Sequence, residues 1–256
     1  MKAQEFVKKA KDIAENYKTL YVMGCFGAPL NEANKKRYIA QNDYNKQKSR
    51  KKMIMNATSD TFGFDCVNTL KAIFWGWNGD KNANYGGAYY PSKNHPSEVP
   101  DVNADTMFSN YCKKKSSEFK SIKVGEFLWM NGHIGVYIGN GLAVECTPAW
   151  KNKVQITAVG NIGKVSGYKT RKWKQHGESV FINYNEEPTL KGKYYPKYTG
   201  NSVSIVDALI SLNINSTFNH RKQIAKANGV KLYIGSAKQN RTLLNLLKLG
   251  QLKKES

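Results

Sequence analysis

The feature that most constrains the fold is an apolar segment, TFGFDCVNTLKAIFWGW, at residues 61–77. Its large apolar side chains recur at steps of three and four residues, which predicts a buried helix over residues 65–75. The recurring residues are Val67, Leu70, Phe74 and Trp77. The helix opens with Asp65 and Cys66, so a thiol lies in the first turn of a buried helix, where it serves either packing or chemistry.

The chain is strongly basic, with 40 Lys and Arg against 19 Asp and Glu and a formal net charge of +21. Such an excess favours polyanionic partners, among them nucleic acid, anionic lipid and the teichoic acids of a Gram-positive wall. The densest basic run covers residues 35–52, where eight of eighteen residues are Lys or Arg. Two interpretations of this run stay open: a solvent-exposed loop or helix face, or contact with an anionic substrate.

No apolar run approaches the roughly 20 residues that span a bilayer, so no membrane insertion is expected. The first 20 residues predict an amphipathic helix and lack the apolar centre of a signal peptide. We therefore expect synthesis in the cytoplasm without a signal peptide, and a monomer that leaves only if something else releases it.

The cysteines show no close pairing, since Cys25, Cys66, Cys112 and Cys146 are widely spaced. This spacing predicts neither a disulfide framework nor a metal site, and no cofactor is expected. Most of these thiols are interpreted as small buried side chains, with at most one that needs a chemical explanation.

The order of the predicted elements, helices first and strands later, favours an α+β fold. Further helices are predicted over residues 4–18 and 105–113. Strands are predicted over residues 126–130, 133–138, 142–146, 154–157 and 179–184. The predicted domains are residues 1–187, a linker at 188–200, and a bundle of three short helices at 201–256.

A cysteine has an unperturbed pKa of about 8.5, which a helix N-terminus and a nearby imidazolium can lower to roughly 3.5–7.5. Four histidines could supply the imidazolium. His95 lies in a Pro-flanked loop, His176 beside a glycine in a polar turn, and His220 among the C-terminal helices. Only His133 begins a strand that a packed helix would cover, so it is the best partner for Cys66.

The predicted hairpin after His133 adds a third residue. If residues 139–141 form a three-residue loop, Ile138 pairs with Leu142 and Gly135 with Glu145. Glu145 then lies diagonally across from His133, about 7–8 Å away between backbones, which a long side chain spans. A two-residue loop would turn Glu145 to the opposite face, so the inference depends on the length of the turn.

These segments resemble the NlpC-type papain-like cell-wall peptidases. The resemblance rests on Asp65-Cys66 at the helix start, on GEFL at residues 125–128, on GHIGVYIGNG at residues 132–141, and on Tyr21-Val22-Met23-Gly24. It implies a papain-like domain in which the cysteine-bearing helix packs on an antiparallel sheet. It also implies a nucleophile at Cys66, a base at His133 and a polar orienting residue at Glu145, with hydrolysis of amide bonds in peptidoglycan stem peptides.

Tyr21 and Asp65 are the residues expected on the substrate and oxyanion side of this site. The chain departs from the family in having Val67-Asn68 where Ser-Gly is usual, and Glu145 where His, Asn or Gln is more frequent. About forty residues separate Gly24 from Asp65, where relatives are commonly shorter. The scissile bond therefore stays open between a stem-peptide endopeptidase and an N-acetylmuramoyl-L-alanine amidase.

The C-terminal residues resemble short modules that end some phage lysins, which implies attachment to the wall and a phage endolysin that acts after release. Peptidoglycan and anionic wall polymers are then the expected partners. Two other classes remain open: a basic nucleic-acid-binding protein and a wall-binding protein without activity. Against the first, the basic residues are dispersed and the sequence contains no recognisable nucleic-acid-reading motif.

Overall fold

The computed structural model describes residues 1–91, 97–184 and 194–255. The chain divides into two compact units, Met1–Tyr184 and Asn185–Ser256, and each has an apolar core of its own. Helices and two β-sheets are both present, so the fold class is α+β, as predicted. Within the described residues, no helix combines the length and the apolar character needed to cross a membrane.

The elements of the first unit are numbered in chain order. Its helices are α1 (Ala3–Asn16), α2 (Glu32–Gln41), α3 (Asp43–Lys46), α4 (Lys48–Asn56), α5 (Cys66–Phe74) and α6 (Ala104–Tyr111). Its strands are β1 (Thr19–Tyr21), β2 (Phe26–Pro29), β3 (Phe62–Phe64), β4 (Cys112–Ser116), β5 (Phe127–Met130), β6 (His133–Gly139), β7 (Leu142–Thr147), β8 (Lys153–Val159), β9 (Thr170–Arg171) and β10 (Gln175–Ser179).

The strands form a small sheet and a large one. The small sheet has the order β1-β3-β2, and the large sheet has the order β4-β10-β5-β6-β7-β8-β9. The large sheet is antiparallel except for the short pairing of β8 with β9. The helix α5 packs against β2, β6 and β7 and against α1, which places it between the two sheets in the main core.

The helix α5 is buried all the way from Cys66 to Ile73, including its one charged residue. Lys71 is accommodated because its ammonium pairs with the Asp101 carboxylate and donates to the Val102 carbonyl at 3.0 Å. A buried charge without such partners would be costly. The predicted helix over residues 65–75 is therefore present, with Asp65 as its N-cap.

Two predictions for the end of the first unit are wrong: the strand over residues 179–184 and the polar turn at His176. Instead, β10 ends at Ser179 and lies between β4 and β5, so His176 is buried in the sheet. Gly177, which suggested the turn, lies inside the strand at a crowded position, because a Cβ there would lie 3.2 Å from the Lys113 carbonyl oxygen.

The basic run over residues 35–52 is largely helical, and it contributes two buried cations, Lys35 and Arg50. Arg50 donates to the Tyr21 carbonyl and, at 2.7 Å, to the Asn152 side chain. This part of the run is structural, because Arg50 ties α4 to β1 and to the loop before β8.

The second unit contains three helices that share one core. They are α7 (Ile205–Ser211), α8 (Phe218–Ala227) and α9 (Ala237–Leu249). Each is capped at its start by a hydroxyl side chain, from Ser204, Thr217 and Ser236. Gly250 ends α9 with φ 72°, a conformation that suits glycine.

The sequence assigned residues 188–200 to a linker, and residues 188–193 lie outside the described residues. Tyr195 and Tyr198, in the remainder of that segment, are buried in the core of the second unit. Aromatic side chains bury more apolar area than most others, which explains why these two tyrosines pack into the core and do not stay in a solvent-exposed linker.

The fold predicts a large cost for Gly27→Ala. Gly27 has φ 98°, and a Cβ there would lie 2.2 Å from the buried Trp77 ring. We expect a loss of about 3 kcal/mol in the free energy of unfolding, from backbone strain and from displacement of the ring. Urea unfolding followed by tryptophan fluorescence measures it, because all five tryptophans lie in the first unit.

The matched control is Gly167→Ala. Gly167 has a similar φ of 83°, but a Cβ added there would have no other atom within 4 Å, so it should show only the backbone cost of about 1 kcal/mol. Equal losses in the two variants would contradict the steric account of Gly27.

Candidate active site

Asp65 fixes the start of α5 with a buried carboxylate. One oxygen accepts the Asn68 backbone N–H at 2.8 Å, and the other accepts the Asn68 side chain and the Gly24 backbone N–H, both at 2.8 Å. Burial raises the pKa of Asp65 despite these donors. Both oxygens accept hydrogen bonds from the protein, and these bonds anchor the start of α5, where Cys66 lies. The place of Asp65 on the substrate or oxyanion side stays a prediction.

The Cys66 thiol lies against the first residues of β6. Its sulfur is 4.0 Å from the carbonyl oxygen of Gly132, the residue that precedes His133. The side chain is largely buried. Burial, followed by the charge of Asp65, raises the pKa of Cys66 to about 12, although N–H groups of the helix start oppose the rise.

The helix N-terminus, one of the two groups that can lower a cysteine pKa, does not produce a lowered pKa at Cys66. The physical reason is that desolvation of the thiolate outweighs the backbone N–H groups that face the sulfur. At neutral pH the resting group is a thiol, and a base must remove its proton before it can act as a nucleophile.

A cleft of about 430 Å³ opens onto the thiol. Its lining combines the start of α5 with residues from the loop after β1, from the segment before α6 and from the turn before β6. The residues are Tyr21, Met23, Gly24, Asn42, Asp65, Cys66, Val67, Asn68, Lys71, Asp101, Val102, Asn103, Ala104, Asp105 and Gly132. A ligand in this cleft would contact Cys66 directly.

Tyr21 lies in this cleft and is close enough to Cys66 for their charges to interact. Burial, and then the neighbouring Cys66 and Asp65, raise the pKa of Tyr21 above its ordinary value. The hydroxyl therefore keeps its proton and can act as a hydrogen-bond donor, which is the property required of an oxyanion ligand. Its present contact is with the Met23 sulfur at 3.8 Å.

His133 is held by Glu145, as the sequence predicts. The Nε2 atom of His133 lies 2.7 Å from Oε2 of Glu145, and the imidazole stacks on Trp173 with ring centroids 5.3 Å apart. An ionised carboxylate only accepts hydrogen bonds, so Nε2 carries the hydrogen. In the neutral ring, Nδ1 then has a lone pair, and Nδ1 has no hydrogen-bond partner among the described residues.

The register that brings Glu145 to His133 depends on a bulge. Gly135 pairs with Glu145, as predicted, but Leu142 pairs with Gly139 instead of Ile138. The turn itself has two residues, Asn140 and Gly141, both with positive φ. A two-residue turn alone would turn Glu145 to the other face, and the extra residue Ile138 in β6 restores its orientation.

Sequence reasoning missed two further partners of Glu145. Thr157 donates to Oε1 at 2.6 Å, and the Nε atom of Arg171 donates to Oε2, also at 2.6 Å. Burial alone would raise the pKa of Glu145, but His133 and Arg171 outweigh it and hold the pKa below its ordinary value. Thr157 could have been found from the predicted pairing of β7 with β8, whereas the two-residue strand β9 gives no sequence signal for Arg171.

The other described histidines lack a free ring nitrogen. His176 contacts the Glu126 carboxylate through Nδ1 and the Glu118 carbonyl through Nε2, at 2.9 Å for the latter. The Nδ1 atom of His220 contacts the Asn215 carbonyl, and its Nε2 atom lies 2.6 Å from a carboxylate oxygen of Glu255. His95 lies outside the described residues. Among the described histidines, His133 is thus the one suited to accept a proton.

The remaining cysteines are free and buried. Burial raises the pKa of Cys25 and of Cys112 to about 12, and it also raises the pKa of Cys146 well above its ordinary value. Cys146 faces the main core, opposite to its neighbour Glu145, and donates to the Phe64 carbonyl at 3.3 Å. Among the described side chains, no group of three or more His, Cys, Asp or Glu could hold a metal ion.

The contacts of Glu145 predict a pH-dependent contribution to stability. Because its pKa is lowered in the fold, its stabilising effect is present above about pH 4.5 and is lost as the pH falls through the lower folded value. Glu145→Gln should therefore cost about 3 kcal/mol of unfolding free energy at pH 7 and progressively less below pH 4.5. Urea unfolding at pH 7 and pH 3.5 measures the difference.

Glu118→Gln is the control, because Glu118 is exposed and its substitution should show no such pH dependence. A cost for Glu145→Gln that is the same at both pH values would contradict the ionised state of Glu145.

Comparison with known proteins does not assign the chain. No protein-family model matches it, and no curated protein matches it. The contacts of Cys66, His133 and Glu145 are therefore the observations on which a functional inference rests.

Proposed function

We propose that the protein is a peptidoglycan hydrolase of the endolysin type, which cleaves an amide bond of the stem peptide through Cys66, His133 and Glu145. The observation that carries the proposal is the contact of the Cys66 sulfur with the carbonyl oxygen of Gly132, next to His133, whose Nε2 is bound by Glu145 while Nδ1 has no partner among the described residues. A thiol, a base and an orienting carboxylate are the components of a cysteine hydrolase.

The reaction begins when His133 Nδ1 takes the proton of the Cys66 thiol. The thiolate attacks the carbonyl carbon of the scissile amide and forms a tetrahedral intermediate. The C–N bond then breaks, and the imidazolium returns the proton to the leaving amine, which leaves a thioester on Cys66. Water, deprotonated by the same imidazole, hydrolyses the thioester and releases the acid and the free thiol.

The oxyanion of the intermediate has two suitable donors. The Cys66 backbone N–H is at the start of α5, where N–H groups have no partner within the helix. The Tyr21 hydroxyl lines the same cleft and keeps its proton. Removing one such donor typically lowers the rate by about 10²–10³.

The packing of α5 on the large sheet of the first unit supports this assignment. A buried helix that carries the nucleophile at its first residue packs on β6 and β7 of an antiparallel sheet, and those strands supply the base and the carboxylate. The resemblance of residues 132–141 to the NlpC-type peptidases names peptidoglycan as the substrate. An amidase that cuts the bond to N-acetylmuramic acid would use the same residues, and mass spectrometry of the new termini separates the two.

The second unit is proposed to attach the protein to the wall. Residues 198–256 contain nine basic and two acidic residues, a net charge of +7. Their three helices are small but share one core, so the unit can present a basic surface. Teichoic acids and other anionic wall polymers are the partners that this charge favours.

Cys66→Ala is expected to abolish lysis of purified walls while leaving the fold intact, because the nucleophile is lost and alanine fits the buried position. Turbidity of a wall suspension measures lysis, and circular dichroism checks the fold. Cys112→Ala, which also removes a buried thiol, should lyse walls at the normal rate. Undiminished lysis by Cys66→Ala would overturn the assignment.

A chain shortened to residues 1–187 is expected to cleave soluble muropeptides but to bind intact walls less well. The reason is that it keeps the complete candidate site and loses the basic second unit. Sedimentation with purified walls measures retention. The same retention with and without residues 198–256 would show that the second unit is not a wall anchor.

A further inference from the structure

Arg171 is an unassigned charged group within the candidate site. It lies on the short strand β9 and donates from Nε to the same Glu145 oxygen that receives His133 Nε2, at 2.6 and 2.7 Å respectively. One carboxylate oxygen thus serves a permanent cation and a group that becomes a cation during the proposed reaction. The third donor, the Thr157 hydroxyl, binds the other oxygen of Glu145 at 2.6 Å and so does not compete with Arg171 or His133.

The Arg171 guanidinium is fixed on several sides. It lies over the Trp150 ring at 4.7 Å and over the Trp173 ring at 5.7 Å, and it donates to the Thr147 hydroxyl at 3.2 Å. Only 16% of its side chain is exposed, so water screens its charge poorly. Trp173 also stacks on His133, so the guanidinium and the imidazole lie against the same ring.

We propose that Arg171 is a positioning residue that holds the Glu145 carboxylate and, by sharing it with His133, keeps the imidazole neutral in the resting enzyme. This inference rests on the proposed function of Cys66 and His133. An imidazolium at His133 would lie next to the guanidinium and would receive only part of the attraction of Glu145. A neutral imidazole is the form that can accept the Cys66 proton. Cys66 and His133 therefore rest as a thiol and an imidazole, and the proton is transferred only when the reaction begins.

Substitutions at Arg171 leave the other charged groups near His133 unchanged. Asp105 on α6 accepts from the Gly132 backbone N–H at 2.8 Å, and Lys174 donates to the Asn131 side chain at 2.9 Å. Cys66 on α5 is the proton donor itself. A difference between variants at position 171 therefore reports the guanidinium.

The test is the pH profile of Cys66 alkylation by iodoacetamide, read by mass spectrometry of the Cys66 peptide. Arg171→Met removes the charge and keeps an unbranched side chain. We expect its alkylation midpoint to lie about one pH unit below that of the wild type, because the thiolate–imidazolium pair becomes more favourable. Arg171→Lys retains a cation and should keep a profile close to the wild type.

The direction of the shift separates this role from a merely structural one. If Arg171 only supported Glu145, its loss would release the carboxylate from His133, and the alkylation midpoint would move to higher pH. An upward shift or an unchanged midpoint in Arg171→Met would overturn the proposal. Lys172→Met, which removes one exposed positive charge from the neighbouring residue, is the matched control and should leave the midpoint unchanged.

The measurement needs no peptidoglycan, so it is independent of the test of activity. Absence of wall hydrolysis by the wild-type protein would refute the proposed function and leave the thiol profile to be judged by itself. Normal hydrolysis with an unshifted profile in Arg171→Met would refute only the role of Arg171. Circular dichroism of each variant confirms that the compared proteins are folded.

Discussion

The first unit depends on one buried carboxylate, that of Asp65. A helix that enters the core with its N-terminus must find partners for its first N–H groups without help from water. Asp65 supplies one of them and also binds the Gly24 backbone, so it joins the start of α5 to the loop after β1. This single anion thereby fixes two edges of the cleft and the position of Cys66. Burial makes the charged form costly, and three hydrogen bonds offset part of that cost.

A second buried carboxylate, that of Glu145, controls the chemical state of the site. Asp65 receives neutral donors only, whereas Glu145 lies between Arg171 and His133. Burial, followed by the charge of Asp65, raises the pKa of the Cys66 thiol. Glu145 binds Nε2 of His133 and leaves Nδ1 without a partner among the described residues. Under the proposed function, proton transfer would take place when substrate binds, and little free thiolate would be present beforehand to react with oxidants or other electrophiles.

The sequence predicted those parts of the structure that are set by local periodicity and by capping. These include α5, the hairpin of β6 and β7, and the pairing of Gly135 with Glu145. It missed parts that are set by distant contacts. His176 is buried because β10 is inserted between two strands that precede it in the chain, and Arg171 reaches Glu145 from a strand of only two residues. Likewise, the pKa of Cys66 follows from burial, which a helix position alone does not reveal.

The bulge at Ile138 reconciles the length of the hairpin with the orientation of Glu145. One extra residue in β6 and a two-residue turn together give Glu145 its orientation. If that extra residue were deleted, Gly139 and Leu142 would still close a two-residue turn, and Gly135 would still pair with Glu145 in a regular ladder. The bulge therefore takes up a change of one residue in the length of β6 and leaves the faces of β7 unchanged. During evolution, this hairpin can gain or lose that residue without moving the Glu145 carboxylate to the other face of the sheet.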